Sequence, residues 1–264
     1  MFLGIDVGNT STMIALYEDD SVVPINEGIF RYKTDKRGSD DILYHSLAMA
    51  LKNYSSMDVI EAEITGIAFS SVVPEINKSY HRVCKRIFSI EPLEISHKSN
   101  FSIKLHYGDL SKLGVDRIVN TEAAFHEYGN GSIIVDIGTA ATFDVLDFEG
   151  NFVGGLIAPG IGTTIKALAD AASNLPEIVF EKPEKMIATD TVNAIKSGFY
   201  YGWISMIEGI CARIEEEYRA KFRLIITGGF ASKMKDSFSR DVIVDPLLTM
   251  KGIKYIFDNN RGKS

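Results

Sequence analysis

A short apolar strand near the start of the chain runs directly into residues that could do chemistry. The stretch GIDVGNT at 4–10 places an aspartate, a glycine, an asparagine and a threonine behind the apolar run. In one interpretation, Asp6 and Asn9 close hydrogen bonds on their own backbone in a tight turn. In the other, Gly8 lets the main chain approach an anion, Thr10 and N–H groups donate, and Asp6 holds hydrated magnesium. The stretch by itself leaves both interpretations open.

The same pattern returns once in the second half of the chain. An apolar run again ends in Asp-x-Gly at IVDIG, residues 134–138, as it does at 4–8. Two carboxylates at matched strand ends, Asp6 and Asp136, would repel each other unless a cation lay nearby. Ligands of such sheets bind beyond the strand ends, so the repeat predicts two turns that face one ligand-binding cleft.

Hydrophobic periodicity predicts the same structural plan around both turns, with three antiparallel strands followed by alternating helices and strands. The first copy is predicted as strands at 2–8, 12–18 and 23–32, a helix at 39–54, a strand at 64–73, a helix at 74–88, a strand at 92–96 and a helix at 114–128 that ends at Gly129. The second copy is predicted as three strands within 132–160, helices at 161–174 and 190–220, a strand at 224–227, a helix after Gly228-Gly229, and a final strand and helix.

Two further places could take part in a reaction. The turn Gly228-Gly229 could cap a helix, or it could offer a flat surface for an adenine and its ribose. Asp116 lies in the first turn of the helix that Gly114 opens. There the helix dipole favours an ionised carboxylate, which could accept a hydrogen bond from an alcohol or could simply stabilise the helix end. Arg117 could form a surface ion pair or could bind a substrate carboxylate together with N–H groups of the helix end.

Composition limits the partners of the chain. With 264 residues, a net charge of −7 and a pI near 5.3, the chain lacks the basic surface that nucleic acids require, so small molecules are the expected partners. No basic segment precedes the first apolar run and no 18 uncharged apolar residues run together, which argues against a membrane and for the cytoplasm. Cys84 and Cys211 are expected to be buried thiols, and the five histidines show no metal-binding spacing.

Two phosphate-type turns followed by a glycine turn, without a Walker A or Rossmann signature, resemble the actin, sugar kinase and Hsp70-like ATPase superfamily. Within that superfamily the chain resembles the type III pantothenate kinases. The segments that carry the resemblance are DVGNTSTM at 6–13, Tyr107 with GVDR at 114–117, VDIGTAATFD at 135–144, GGLIAPGIG at 154–162, DTVNAIKSGFYYG at 190–202 and TGGFA at 227–231. The resemblance implies an α/β fold of two similar ribonuclease H-like (actin-like ATPase) halves, 1–115 and 116–264, each a mixed sheet with flanking helices.

The resemblance also implies an activity and a role for each matched residue. The chain would be a kinase that phosphorylates pantothenate with ATP and Mg²⁺, the first step of coenzyme A synthesis, as a homodimer that needs a monovalent cation, K⁺ or NH₄⁺. Asp116 would accept the proton, Asp136 would bind the monovalent cation, and Asp6 would hold Mg²⁺ through water. The implied ATP contacts are Asp6, Val7, Gly8, Asn9, Thr10, Ser11, Thr12, Met13 and Thr139. The implied pantothenate contacts are Tyr107, Gly114, Val115, Asp116, Arg117 and Thr191.

The chain departs from the family pattern in two places, and alternatives remain. Gly108-Asp109 and then Leu110 stand where the family usually has Asn-Pro, and Ala141 replaces a threonine, so both changes could weaken binding. Thr191 follows Asp190 and could simply begin a capped helix. A kinase of another small hydroxy acid and a non-catalytic ATP-binding regulator are the alternative functions.

The apolar segment 195–214 is the expected dimer interface. Its large apolar residues offer more hydrophobic surface than one face of a helix needs, although part of that surface could equally belong to the core. These residues are Phe199, Tyr200, Trp203, Ile204, Ile207 and Ile210.

Overall fold

The computed structural model describes residues 1–261, and regular structure accounts for most of them. In chain order the elements are β1 (Phe2–Val7), β2 (Ser11–Tyr17), β3 (Ile29–Lys33), α1 (Asp40–Lys52), α2 (Met57–Glu63), β4 (Gly66–Ser71), α3 (Asn77–Phe88), β5 (Leu93–Glu94), β6 (Lys104–Leu105), α4 (Val115–Tyr128), β7 (Ser132–Ile137), β8 (Ala140–Leu146), β9 (Asn151–Pro159), α5 (Ile161–Ala171), α6 (Thr191–Tyr218), β10 (Arg223–Thr227), β11 (Val242–Val244) and α7 (Leu248–Asn260).

The chain divides into two compact units. The first contains Met1–His126 together with the chain from Leu247 onward, and the second is the continuous segment Glu127–Pro246. The final helix α7 therefore groups with the start of the chain. The division into halves at 1–115 and 116–264 stays a prediction about the two repeated ATPase halves.

The first unit is built on a mixed sheet with the strand order β3-β2-β1-β4-β5. Strands β1, β2 and β3 form the predicted antiparallel meander, and β4 and β5 continue the sheet in parallel. Alternate residues of β1 point to opposite faces of the sheet. Leu3 and Ile5 pack among residues of α1, α2 and α3, whereas Phe2 packs among residues of α4 and α7. Helices therefore flank both faces.

The second unit repeats this plan. Its strands are ordered β9-β8-β7-β10-β11, with β7, β8 and β9 antiparallel and with β10 and β11 parallel to β7. Apolar residues of β7 and β8 share a core with the first turns of α5 and with one side of α6. The predicted class of two similar mixed sheets with flanking helices is confirmed.

Three local predictions differ from the structure. The strand predicted at 23–32 is regular only from Ile29, because a 3-10 turn at Asn26–Gly28 precedes it. The helix predicted after Gly228-Gly229 is wrong: that segment forms two single 3-10 turns, Ala231–Lys233 and Lys235–Ser237. Its serine and aspartate side chains compete with helical backbone bonds. Helix α2 was not predicted, since its seven residues are too few to show a period.

The structure bears on the predictions about the two cysteines and about the membrane. Cys84 and Cys211 are buried free thiols, as predicted, and burial raises the pKa of each to about 12. Within residues 1–261, no helix is both long and apolar enough to cross a membrane. The cytoplasmic location stays a prediction.

Candidate active site

The turn between β1 and β2 is closed by its own main chain and tied to the end of β3. The Gly8 N–H donates to the Ser11 carbonyl at 3.1 Å, and a Cβ built on Gly8 would lie 2.9 Å from that same oxygen. The Thr34 N–H donates to the Thr10 carbonyl at 3.1 Å, and the Thr34 hydroxyl donates to the Gly8 carbonyl at 2.8 Å. The turn is thus held in one shape before any ligand binds.

A chain of hydroxyl groups continues from this turn into the interior. The Thr12 hydroxyl lies 3.0 Å from that of Thr34 and 3.4 Å from that of Tyr80, which lies 3.2 Å from the Tyr32 hydroxyl. Because Thr34 gives its only hydroxyl proton to Gly8, Thr12 must donate to Thr34, Tyr80 to Thr12, and Tyr32 to Tyr80. Burial raises the pKa of Tyr32 and of Tyr80, so both phenols stay protonated and can donate.

The predicted ATP-binding stretch 6–13 contains both exposed and fully buried side chains. Asn9 and Thr10 are exposed, whereas the side chains of Val7 and Thr12 are fully buried. Any contact of the two buried residues with a ligand would have to come from their main chain.

Asp6 occupies the end of β1, where a magnesium ligand was predicted. It is partly buried, and its neighbours across the sheet are Met13 on β2 and Ser70 on β4. The buried Ser70 hydroxyl has no hydrogen-bond partner among the described residues. Proteins usually hold Mg²⁺ through one or two carboxylates together with the phosphates of a substrate. One carboxylate beside an unused hydroxyl oxygen fits that chemistry.

The turn between β7 and β8 is held differently. The Gly138 N–H donates to the Ala140 carbonyl at 3.0 Å. The Thr139 carbonyl accepts from the Gly160 N–H at 3.0 Å and from the Thr163 hydroxyl at 2.7 Å. A Cβ built on Gly160 would lie 2.1 Å from the Gly138 carbonyl oxygen, so this approach of main chain to main chain requires glycine.

Asp136 lies at the end of β7, in the position that Asp6 has on β1. Its neighbours across the sheet are Thr142 and Thr227, both buried. Gly228 follows with a φ of +92°, and a Cβ built there would lie 2.6 Å from Oδ1 of Asp136 and from the Ile137 main chain. The absence of a side chain lets the Gly228 main chain lie directly against the carboxylate. Carboxylate, hydroxyl and carbonyl oxygens are the ligands of hard cations, and the cation role of Asp136 stays a prediction.

Asp116 and Gly114 meet at the beginning of α4. Oδ1 of Asp116 accepts the Arg117 N–H at 2.9 Å, and a Cβ built on Gly114 would lie 2.5 Å from this oxygen. Burial raises the pKa of the Asp116 carboxyl, against the lowering effect of the Arg117 N–H and charge. A carboxylate whose pKa is raised is a stronger proton acceptor than an ordinary aspartate.

The structure brings Tyr107 and Arg117 together. The Arg117 guanidinium lies 5.9 Å from the centre of the Tyr107 ring. Arg117 is only 4% exposed, so the surface ion pair considered from the sequence is wrong. A buried guanidinium next to an exposed phenol can bind a planar anionic group at the head of α4.

Sequence reasoning missed Glu122, a fully buried carboxylate on α4. It accepts the N–H groups of Ser102 and Ile103, the shortest at 2.8 Å, and it also bonds His126 and Asn259. Burial alone would raise the Glu122 pKa, but these hydrogen bonds outweigh burial and lower it. Glu122 thereby fixes the segment that leads to the exposed Tyr107 loop. Its signal in the sequence was a single acid inside an apolar helical run.

Thr191 is the first residue of α6 and is exposed. The preceding Asp190 caps the helix by accepting the Asn193 N–H at 3.0 Å and its amide group at 2.7 Å. Thr191 is thus placed on a rigid helix end, and its role toward pantothenate stays a prediction.

The two departures from the family pattern are absorbed locally. Asp109 caps a 3-10 turn by accepting the Ser111 N–H at 3.1 Å and its hydroxyl at 2.6 Å, which gives the Tyr107 loop its own internal support. Ala141 is fully buried on β8 and packs in the core of the second unit. The hydroxyl that it lacks would therefore have pointed into the core.

Five strands follow one order in both mixed sheets, β3-β2-β1-β4-β5 and β9-β8-β7-β10-β11, and an Asp-x-Gly turn follows the first strand of each set. This is the fold of the actin-like and sugar kinase ATPases. The activator of 2-hydroxyisocaproyl-CoA dehydratase from Clostridium difficile, solved with bound ADPNP, has a TM-score of 0.54 at 14% identity, covering 98% of this chain and 95% of that one. Component A of the (R)-2-hydroxyglutaryl-CoA dehydratase of Acidaminococcus fermentans has a TM-score of 0.53 at 12% identity, covering 97% and 95%. These likenesses show the fold.

Sequence comparison defines the family. The model of type III pantothenate kinase matches residues 2–213. A type III pantothenate kinase from Koribacter versatilis (strain Ellin345) is 34% identical over 276 residues, covering 100% of this chain and 97% of the relative. The chain therefore belongs to the type III pantothenate kinase family, as the resemblance predicted, and it is a kinase. Membership favours the enzyme over the non-catalytic regulator.

Proposed function

We propose that the chain transfers the γ-phosphoryl group of Mg-ATP to the primary alcohol of pantothenate, with Asp116 as the proton acceptor. The observation that carries this proposal is the partly buried Asp116 at the head of α4, with its raised pKa and with Arg117 and Tyr107 beside it. An acid placed in this way can take a proton from an alcohol, and the neighbouring guanidinium can hold an acidic substrate.

In the proposed reaction, the alcohol oxygen of pantothenate attacks the γ-phosphorus in line with the bond to the β–γ bridging oxygen. That bond breaks, ADP leaves, and the alcohol proton moves to the Asp116 carboxylate. The main chain and side chains of the 8–11 turn position the phosphates, and Asp6 serves the magnesium side. Mg²⁺ bound with ATP neutralises the charge that develops on the phosphate oxygens.

The negative charge of pantothenate is the feature that we expect the site to recognise. Pantothenate carries a carboxylate, which the Arg117 guanidinium at the start of α4 can bind. The exposed Tyr107 ring packs near the same guanidinium and can cover the bound acid. Gly114 and Val115 contribute main chain at this helix end, while Thr139 toward ATP and Thr191 toward pantothenate rest on the family resemblance.

A monovalent cation, K⁺ or NH₄⁺, is proposed at Asp136. The support for it is the set of oxygen atoms near the Asp136 carboxylate, namely the Ile137 carbonyl and the hydroxyl groups of its neighbours Thr142 and Thr227. A large, weakly hydrated cation suits such a set of oxygen atoms. It would offset the charge of a carboxylate that must work with a triphosphate ligand.

A homodimer is proposed through α6, over a narrower surface than the sequence suggested. Tyr200, Trp203, Ile204 and Ile207 are buried in the core of their own unit. What α6 leaves available is an apolar groove of about 440 Å³ with Ile195, Phe199 and Met206 on its wall. The glycines of this helix face, Gly198 and Gly202, have open space beside them, so a second helix could approach closely. A monomeric mass by light scattering at micromolar concentration would contradict the dimer.

The test of function is an assay that couples ADP release to a spectroscopic signal, run with and without pantothenate. Turnover that requires pantothenate is expected, and nucleotide binding without turnover would support the regulator instead. Asp116→Asn should lower turnover by roughly 10²–10⁴ while circular dichroism and ADP binding stay near wild type. Asp41→Asn, which changes an exposed aspartate on α1, is the matched control. Wild-type turnover in Asp116→Asn would remove the assignment.

A further inference from the structure

A lysine lies over the first turn, and none of the roles described above uses it. Nζ of Lys36 lies 2.6 Å from Oδ1 of Asn9, the residue at the tip of the 8–11 turn. Lys36 belongs to the segment that links β3 to α1, and its side chain reaches back across that turn. The sequence places these residues 27 positions apart, so no local pattern indicated the contact.

The segment that carries Lys36 is fixed to the turn on both sides of Asn9. Thr34, two residues earlier, bonds the Thr10 carbonyl through its N–H and the Gly8 carbonyl through its hydroxyl. The Thr34 hydroxyl in turn accepts from Thr12, at the end of the buried hydroxyl chain. The position of the lysine over the turn therefore follows from the core of the first unit.

The charge of Lys36 is not neutralised by an acid. Within the described part of the chain, its ammonium group bonds the neutral amide oxygen of Asn9 and makes no ion pair with a carboxylate. The neighbouring Asp35 carboxylate is engaged with the Arg37 N–H at 3.0 Å. An ammonium group carries three N–H donors, so two remain for an anion that settles on the turn.

We propose that Lys36 is a phosphate ligand that binds the polyphosphate chain of the nucleotide and closes the 8–11 turn over it. This inference rests on the proposed function, because it takes the turn to be the phosphate site. The chemistry fits, since a lysine ammonium group is a compact point charge that binds phosphate oxygens from a flexible stem. The Asn9 amide keeps the lysine in place when no phosphate is bound.

The test is calorimetric binding of ADP, AMP and adenosine to wild type, Lys36→Met, Lys36→Arg and Lys52→Met. Lys52 is an exposed lysine at the far end of α1, so Lys52→Met makes the same charge change away from the turn. Loss of a charge-assisted phosphate contact should weaken ADP binding by about 10-fold to 100-fold in Lys36→Met. Adenosine binding and the KM for pantothenate should not change, Lys36→Arg should recover most of the loss, and Lys52→Met should match wild type.

The outcomes separate this inference from the proposed function. If wild type binds ADP and Lys36→Met binds it within about twofold of wild type, the lysine is not a phosphate ligand and the kinase assignment stands. An equal loss for ADP and adenosine in Lys36→Met would also overturn the inference, because the lysine would then support the fold of the turn. If wild type itself binds no ADP, the proposed function fails, and the inference fails with it.

Discussion

The two Asp-x-Gly turns occupy equivalent places in the two sheets, yet different atoms hold them. In each unit, the residue that directly follows the third strand bonds the turn after the first strand. In the first unit that residue is Thr34, which uses both its N–H and its side chain. In the second it is Gly160, which has no side chain and brings its main chain against Gly138 and Thr139. The Thr34 hydroxyl reaches the first turn through a side chain, whereas Gly160 contacts the second turn directly with its main chain.

This difference shows that both units hold the turn from the same place, directly after the third strand, but that the atoms which hold it differ. The first turn is joined to a buried chain of hydroxyl groups and to a lysine, so its shape depends on side chains that can be changed singly. The second turn depends on glycine at Gly160 and Gly228, where any side chain would meet main-chain atoms. Apart from Gly8, whose Cβ would meet the Ser11 carbonyl, substitutions at the first turn should therefore cause graded losses of stability, whereas a side chain at Gly160 or Gly228 should cause an abrupt loss.

The largest effect is expected at the paired aspartates, which should differ in the ion that they serve. Asp6→Asn is expected to lower turnover by roughly 10²–10³, because a carboxylate on the magnesium side is lost, with a raised requirement for Mg²⁺. Asp136→Ala is expected to lower turnover about 10-fold and to abolish the response to K⁺. The measurement is turnover against Mg²⁺ and against K⁺, Na⁺ or a bulky organic cation at constant ionic strength.

Full wild-type activity without K⁺ or NH₄⁺ would remove the monovalent site altogether. A potassium response that is unchanged in Asp136→Ala would place the cation on another residue. Equal dependence of both variants on both ions would show that Asp6 and Asp136 do not differ in the ion that they serve.

Gly160→Ala is expected to lower the free energy of unfolding by about 3 kcal/mol, because the new methyl group would lie against carbonyl oxygens that cannot move without opening the turn. Urea unfolding followed by circular dichroism measures this change. The control is Gly209→Ala on the exposed side of α6, where nothing lies near the added methyl group. Helix propensity predicts that this control gains up to about 1 kcal/mol. Equal stability of the two variants would show that the second turn is not under steric constraint.

Thr34→Val should be milder, with a loss of about 1–2 kcal/mol, because the Gly8 carbonyl and the Thr12 hydroxyl each lose one hydrogen bond. The KM for ATP should rise while the KM for pantothenate stays constant. Thr34→Ser keeps the hydroxyl and should restore both values toward wild type. A loss in Thr34→Val as large as that in Gly160→Ala would contradict the graded tolerance of the first turn.

The smallest expected effect is that of the Asp116 carboxylate on stability. This carboxylate has no counterpart in the second unit, since α5 and α6 carry no acid in their first turns. Burial raises the pKa of Asp116 in the folded protein, so between the ordinary aspartate pKa and this raised pKa the folded state binds more protons than the unfolded state. The free energy of unfolding therefore falls as pH rises through that window. Asp116→Asn, with its strongly lowered turnover, should therefore be slightly more stable than wild type at neutral pH.

Unfolding by urea at several pH values measures this difference. The two proteins should converge in stability below about pH 3.9, where the wild-type carboxyl is protonated in both states. A variant that is less stable than wild type at neutral pH would show that Asp116 supports the helix end and does not strain it.

The sequence predicted those parts of the fold that rest on local patterns. Alternation and apolar runs placed the meanders of both units, and the periodicity at 39–54 predicted the helix that the structure has as α1 (Asp40–Lys52). Family resemblance added the roles of Asp116 and Asp136, which stay predictions. The structure adds the raised pKa of Asp116 and the close approach of the Gly228 main chain to Asp136.

The rest could not be predicted, because it depends on pairs that are distant in sequence and lie in segments without a period. Thr34 and Lys36 belong to a loop whose composition resembles any polar turn, and only the packing of β3 beside β2 brings them to residues 8–10. Glu122 looks like an isolated acid until the segment at Ser102 is folded against it. The segment after Gly228 contains enough helix-forming residues to predict a helix, but its serine and aspartate side chains compete with helical backbone bonds and it forms two 3-10 turns.

The last helix of the chain belongs to the first compact unit, and this affects the order in which the two units can fold during synthesis. Tyr17 donates to the Met250 carbonyl at 2.7 Å, and Thr249 bonds Asn120 at 2.7 Å. As the protein leaves the ribosome, residues 127–246 can pack as an uninterrupted unit, while the strands made first have only α4 on one face of their sheet until α7 completes the cover. A premature stop codon at the first residue of α7 would remove the 13 residues of this helix and all that follows them, and it would therefore destabilise the strand that carries Asp6, near the other end of the chain.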